Sequence, residues 1–325
     1  MKTILYPVVW IINYRVEDAY TLKRPYTFVQ AVFSHENEIP DDIRMADALI
    51  VGRNITISAN TLNRLDHCKL IVRPGVGCDN IDAAEAKKRE IAVETIPDYC
   101  IDEVADHTIA LLLSYVRRIS HANELLRQDL VNNWKTDSFK SVYSLRGKTL
   151  GIVGFGYIGR AVAARAKASN MRVLFFDPYI KRGIDKIHNC KSCDSFVEFI
   201  NEADIISIHA PLTPETKSLF DDSTITAFTS PKVIINTARG KIITNSCIYN
   251  GIRSGKIEAY LSDVLENEPP IPDDPLIQAI IRNEEFLRNR LIITPHIAFY
   301  SKESQAEVLE RTFQLLDLYF EHRVV

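Results

Sequence analysis

The chain has 325 residues, 46% hydrophobic and 25% charged, an ordinary globular composition that excludes a disordered or fibrous protein. At roughly 100–200 residues per domain, that length suggests about two domains. The 39 Lys and Arg stand against 42 Asp and Glu, a net charge of −3, which excludes the basic surface of a general nucleic-acid binder.

At the N-terminus, Ile4 to Ile12 resembles the apolar core of a signal peptide. Pro7 interrupts it and no small-residue cleavage site follows, so it reads as a buried first strand, Ile4–Val9. Further strands are expected at Phe28–Phe33, Ala48–Val51, Leu70–Val72 and Ile91–Val93. A second set is expected at Leu150–Val153, Val173–Phe176, Ile205–Ile208, Val233–Ile235, Ala259–Leu261 and Leu291–Ile293. Runs of Val and Ile without alternation suit parallel strands buried on both faces. Helical patterns between them make the class α/β. Asp102 reads as the N-cap of a helix to about Arg118, and its run Ile109 to Leu113 is apolar all round, as for a helix buried between layers. Ala306, Leu309, Phe313, Leu316 and Phe320 step by three and four and predict a C-terminal docking helix. No apolar stretch reaches the roughly 20 residues of a membrane-spanning helix. Six scattered cysteines (68, 78, 100, 190, 193, 247) argue against a disulfide framework and for a reducing, cytoplasmic setting. Cys190 and Cys193 lack the second pair a zinc site wants, so no metal is expected.

The segment Leu150 to Gly159 contains G-x-G-x-x-G at Gly154, Gly156 and Gly159, with Tyr157 and Ile158 between the last two glycines. It follows a strand and opens an Ala-rich helix, and a second strand ends at Asp177, 18 residues past Gly159. That context makes it a dinucleotide fingerprint. Gly154 permits the turn, Gly156 admits the pyrophosphate to the backbone, and Gly159 lets helix and strand pack closely. The phosphates belong at the helix N-terminus. Asp177 would accept hydrogen bonds from the adenosine ribose and repel a 2′-phosphate, which favours NAD over NADP. A P-loop ending at Gly147-Lys148-Thr149 is excluded, because the glycine it needs five positions earlier is Val142.

Three polar groups follow successive strands of this half: Arg239 after Val233–Ile235, Glu268 after Ala259–Leu261, and His296 after Leu291–Ile293. Ligands of open parallel sheets bind outside the carboxyl ends of the strands. An Arg, a Glu and a His placed there beside a nicotinamide suit hydride transfer at a carbonyl.

From Ala46 to the C-terminal helix the chain resembles the D-isomer-specific 2-hydroxyacid dehydrogenases. The residues that carry the resemblance are Arg73-Pro74-Gly75-Val76-Gly77-Cys78-Asp79-Asn80-Ile81-Asp82, Glu103 to Thr108, the glycine motif with Asp177-Pro178, His209-Ala210-Pro211-Leu212-Thr213, Asn236 to Gly240, Asp263 with Glu268-Pro269, and Pro295-His296. Pro97 to Cys100 and Ala298 to Ser301 look most like the subgroup related to C-terminal binding proteins. The resemblance implies two doubly wound parallel-sheet domains, with a Rossmann NAD-binding domain (102–292) inserted into a flavodoxin-like substrate domain (1–101 with 293–325), and a cleft that closes between them.

It further implies that Arg239, Glu268 and His296 are catalytic. His296 would move the proton of the carbonyl oxygen, Glu268 would hold its tautomer and favour imidazolium, and Arg239 would grip a 2-oxo acid. Val76 and Gly77 would hold the substrate carboxylate, with Arg53 and Arg73 available for a second anionic group. Thr108, His209, Ala210, Pro211, Thr237, Ala238 and Asp263 would contact the cofactor, Asp263 at the nicotinamide carboxamide. The expected partner is a small 2-hydroxy or 2-oxo acid of phosphoglycerate, hydroxypyruvate, glyoxylate or lactate type, with neither nucleic acid nor membrane. A homodimer through the NAD-binding domain is expected, with Trp134 in its arm. The alternative is an NAD(H)-sensing, corepressor-like binding protein. The 28 residues from Glu268 to His296 are more than many relatives have, and the charged stretch 282–290 is expected beside the cleft or at a subunit contact. Phe299 and Tyr300 stand where many relatives have glycine, which predicts a narrow or aromatic pocket.

Overall fold

The computed structural model describes residues 8–21, 24–139 and 141–321. These form two compact units, 1–100 with 301–325 and 101–300.

The first unit carries a five-stranded sheet of β1 (Val8–Ile12), β2 (Thr27–Ala31), β3 (Ala48–Val51), β4 (Leu70–Arg73) and β5 (Ala92–Thr95). Every ladder is parallel and the order is β2-β1-β3-β4-β5, the flavodoxin-like winding. The first expected strand falls partly outside the described residues; β1 itself begins at Val8 and is the strand on which β2 and β3 pair. One face of the sheet buries Val9, Ile11, Ile50 and Val72 against Phe313 and Leu316 of the C-terminal helix Lys302–Glu321. Each such side chain contributes about 1.5–3 kcal/mol when withdrawn from water. The expected stripe holds at Leu309, Phe313, Leu316 and Phe320, which pack in this face, whereas Ala306 is exposed and Ser304, Val308 and Thr312 are buried beside them. Thr312 satisfies its hydroxyl by donating to Val308 O at 2.7 Å, so a polar residue sits in the face without an orphaned group.

The second unit is a seven-stranded parallel sheet of β6 (Thr149–Val153), β7 (Arg172–Phe176), β8 (Lys191–Ser192), β9 (Ile205–Ile208), β10 (Lys232–Asn236), β11 (Ile257–Ser262) and β12 (Leu291–Ile293). Its order, β12-β11-β10-β9-β6-β7-β8, reverses direction beside β6, which makes the end of β6 the switch point where such sheets bind ligands. The strands β6, β9 and β10 have no exposed residue, as expected of strands covered on both faces.

The second passage between units falls at 300/301, where the sequence reading had 292/293. Residues 294–298 belong to the second unit because the N–H of Thr294 bonds Ser262 and those of His296, Ile297 and Ala298 bond Asp263. The helix after the first passage is Ile101–Val116, with Asp102 inside its first turn and not capping it. Ala110 and Leu113 of that helix are exposed, so it is buried on one side and not all round.

Candidate active site

The glycine loop joins β6 to the helix Tyr157–Ala168. At Gly154, φ is 86° and a Cβ would lie 2.6 Å from Ala210 N, so only glycine lets this turn meet the loop after β9. A Cβ on Gly159 would strike Gly154 O at 2.2 Å, whereas one on Gly156 would meet nothing within 4 Å. The backbone at Gly156 therefore faces open space at the start of a twelve-residue helix, the shape and polarity a pyrophosphate needs. Tyr157 is exposed and Ile158 half-buried beside it.

Asp177 follows β7. Its Oδ2 accepts the Phe155 N–H at 2.8 Å and its Oδ1 the Tyr179 N–H at 3.0 Å, so the carboxylate also braces the glycine loop. The Tyr179 hydroxyl donates to Glu215, which places a second carboxylate near this edge. His209 follows β9, and its Nε2 lies 2.8 Å from Ser207 Oγ. Burial pushes its pKa down to about 3, so the ring is neutral at physiological pH.

The three expected catalytic residues follow β10, β11 and β12, which are adjacent strands. Arg239 begins a tight turn whose shape comes from Asn236: its amide donates to Arg239 O at 3.0 Å while its Oδ1 accepts the Ala238 N–H at 3.0 Å. A Cβ on Gly240 would lie 2.0 Å from the carbonyl carbon of Leu265. Glycine thus presses the Arg239 turn against the segment that leads to Glu268. Glu268 Oε1 accepts the Leu265 N–H at 3.1 Å, and its Oε2 lies 2.5 Å from Nδ1 of His296. The structure therefore brings Glu268 and His296 together across 28 residues of chain.

Two residues expected at the cofactor are buried. Thr108 donates to Val104 O at 2.7 Å and accepts from the Thr237 hydroxyl at 3.0 Å, which orients Thr237. Asp263 is 1% exposed. Its carboxylate accepts from the N–H groups of Ile297 at 2.9 Å and Ala298 at 2.7 Å and from the Thr294 hydroxyl at 2.5 Å. Sequence reasoning missed Asn236, Gly240 and Thr294 as residues that shape the site; Asn236, Gly240 and the Thr294-Pro295-His296 run were its available signals.

The charged stretch 282–290 lies away from the catalytic end of the sheet. Arg290 donates to Glu258 O and Ile257 O at 2.8 and 2.7 Å, the amino end of β11, whereas His296 follows the carboxyl end of β12. Leu287 is buried in the core and the Phe286 ring packs edge-on against Tyr249, so the insertion thickens the far end of the sheet.

In the first unit, Arg53 follows the carboxyl end of β3 and Arg73 is the last residue of β4. Asn80 donates to Gly52 O at 3.0 Å and Ile55 O at 2.7 Å, pinning the Arg53 loop to the Val76–Gly77 loop. Arg53 and Val76 are exposed and Gly77 half-buried.

The model of the family described as "D-isomer specific 2-hydroxyacid dehydrogenase, NAD binding domain" matches residues 109–298. The chain belongs to this family. It is 34% identical to a D-3-phosphoglycerate dehydrogenase of Methanocaldococcus jannaschii over 83% of its own length and 49% of that protein's. It is 32% identical to a hydroxypyruvate reductase of Thermotoga maritima over 87% of this chain and 89% of that one. The chain thus spans about half the length of the phosphoglycerate dehydrogenases it matches. Among solved structures, a D-lactate dehydrogenase of Aquifex aeolicus complexed with NAD and lactic acid superposes with a TM-score of 0.86 at 28% identity, covering 97% of this chain and 96% of that one. The corepressor-like alternative finds no support among these family relatives, which are dehydrogenases and reductases by name. The family's NAD-binding domain falls within the second unit described above, and the parallel sheets of the two units are the expected doubly wound pair. No helix among the described residues is long and apolar enough to cross a membrane.

Proposed function

We propose that the protein is an NAD-dependent oxidoreductase that interconverts a small D-2-hydroxy acid and its 2-oxo acid. The observation that carries this reading is the Glu268–His296 contact beside the Arg239 turn, behind three adjacent strand ends.

NAD, when bound, supplies or accepts the hydride, the chemistry of the cofactor and not of the protein. Gly154, Gly156, Tyr157, Ile158 and Gly159 would hold its pyrophosphate, Asp177 its adenosine ribose, and His209, Ala210, Pro211, Thr237 and Ala238 its remaining edges. His296 protonates the carbonyl oxygen in reduction and takes the proton back in oxidation. An ionised Glu268 only accepts hydrogen bonds, so it fixes the His296 proton on Nδ1 and leaves Nε2 as the atom of proton exchange. The Arg239 guanidinium is planar and permanently charged, suited to a carboxylate and a developing oxyanion. In the first unit, the N–H groups of Val76 and Gly77 suit a substrate carboxylate, and Arg53 and Arg73 a second anionic group. The names of the relatives point to phosphoglycerate, hydroxypyruvate, glyoxylate or lactate as substrate type.

Leu130, Val131 and Trp134 are exposed together in one short segment of the second unit, the kind of apolar cluster that can mark a protein–protein contact. They support a homodimer formed through this unit, which sedimentation would detect. Cys68, Cys193 and Cys247 are buried thiols outside any disulfide, which supports a cytoplasmic setting. Turnover of a panel of 2-oxo acids with NADH tests the main reading.

A further inference from the structure

His296 has φ of 55°, the left-handed region that a side chain of this size occupies only where its surroundings impose it. Here the imposing residue is Asp263. Its backbone oxygen accepts the His296 N–H at 2.8 Å, and its two carboxylate oxygens accept the next two, from Ile297 at 2.9 Å and Ala298 at 2.7 Å. One buried residue thus receives three consecutive N–H groups of the turn that carries the histidine.

The orientation of that carboxylate is itself fixed. Thr294 Oγ1 lies 2.5 Å from Asp263 Oδ1 and 2.9 Å from Nε2 of His107, on the helix Ile101–Val116. A hydroxyl has one proton. An ionised carboxylate can only accept, so the Thr294 proton goes to Asp263. The same oxygen must then accept from His107, which requires the His107 proton on Nε2. The 3.7 Å separation of that nitrogen from Asp263 Oδ1 adds an attractive dipole to the same carboxylate. Donation therefore runs from His107 to Thr294 and from Thr294 to Asp263, and the Asp263 carboxylate so fixed accepts the N–H groups of Ile297 and Ala298 from the other side.

We propose that His107 is a positioning residue for the reaction, acting through Thr294 and Asp263 to hold the His296 turn in its left-handed conformation. The assignment rests on the dehydrogenase reading of His296. Small misplacements of a reacting group cost large factors in rate, so the relay shows in turnover more than in binding.

Four variants test it. His107→Leu and Thr294→Val remove the relay at nearly constant size; His107→Gln and Thr294→Ser keep a donor and a hydroxyl. The readouts are kcat, KM and Kd for NADH, and the low-field NMR signal of the His296 Nδ1 proton against Glu268. We expect Leu and Val to lower kcat by about ten- to a hundredfold with NADH affinity kept, Gln and Ser to recover most of that loss, and the low-field signal to shift or broaden only in Leu and Val. Wild-type kcat in His107→Leu overturns the proposal, as does a Gln variant no better than Leu. A loss carried by weakened NADH binding assigns His107 to the cofactor instead. If the wild type reduces no 2-oxo acid, the dehydrogenase reading fails, and the low-field signal decides alone: unaltered in Leu and Val it rejects the relay, perturbed in both it upholds it.

Discussion

Glu268 meets His296 at 2.5 Å through Oε2, while its Oε1 takes the Leu265 N–H at 3.1 Å. Both oxygens are committed to acceptor roles, so the carboxylate cannot swing away without losing a backbone hydrogen bond. The chain that separates the two residues folds away toward the amino end of the sheet. A long insertion and a tight catalytic contact are therefore compatible.

Glu268→Gln keeps the shape of the side chain but replaces an obligate acceptor with a group that also donates. Control of the His296 tautomer is lost, and kcat should fall by about 10²–10⁴, as when the carboxylate orienting a catalytic histidine is neutralised. Steady-state kinetics with circular dichroism as a folding control checks this; turnover near the wild-type value contradicts the pairing.

Gly240→Ala puts a Cβ 2.0 Å from the Leu265 carbonyl carbon. Backbone has to give way, at about 1–3 kcal/mol for overpacking, and the Arg239 turn separates from the Glu268 segment. A lowered melting temperature together with reduced kcat is expected. A drop in stability with kcat intact would show that the two turns need no such close approach.

Asp177→Ser replaces the two oxygens that accept the Phe155 and Tyr179 N–H groups with a single hydroxyl and removes the charge that opposes a 2′-phosphate. NADH should bind more weakly, and the preference for NADH over NADPH should fall by about tenfold or more. Titration of both cofactors by fluorescence measures the ratio, and an unaltered ratio rejects the discriminating role.

Burial of its ring pushes the pKa of His209 in the folded protein down from an ordinary 6.5 to about 3. Between those values the unfolded chain holds the proton and the folded one does not. Stability therefore rises with pH from 3 to 6.5, is complete above 6.5, and is lost as the solution is acidified. His209→Gln should flatten this slope by up to one proton, read from urea unfolding across that range. A slope identical to wild type would place the acid sensitivity on other groups.

The parallel sheets were legible because Ile, Val and Leu crowd into β3, β6, β9 and β10, and burial on both faces leaves no alternation to confuse. The two-residue strand β8, Lys191–Ser192, carries no such signal and pairs only because β7 offers an edge. The glycine loop, Asp177 and the three strand-end residues were legible because their spacing encodes a turn or a strand end. The helix faces were less so: Ala306 continues the periodicity of its helix yet faces solvent, and buried Thr312 hides its polarity in a bond to its own helix. The part played by Asp263 was not legible. A carboxylate that gathers backbone N–H groups from 34 and 35 positions away leaves no local pattern, and motif likeness alone pointed it at the cofactor.

The central claim is proton transfer by His296 to a 2-oxo acid, and the most direct measurement is NADH oxidation with a panel of 2-oxo acids, wild type and His296→Gln side by side. The account predicts that the wild type reduces at least one of glyoxylate, hydroxypyruvate, pyruvate or a phosphorylated 2-oxo acid. It predicts that His296→Gln lowers kcat by about 10²–10⁴ with NADH affinity kept. Equal turnover by the two proteins, or tight NADH binding with no acid reduced by either, contradicts it.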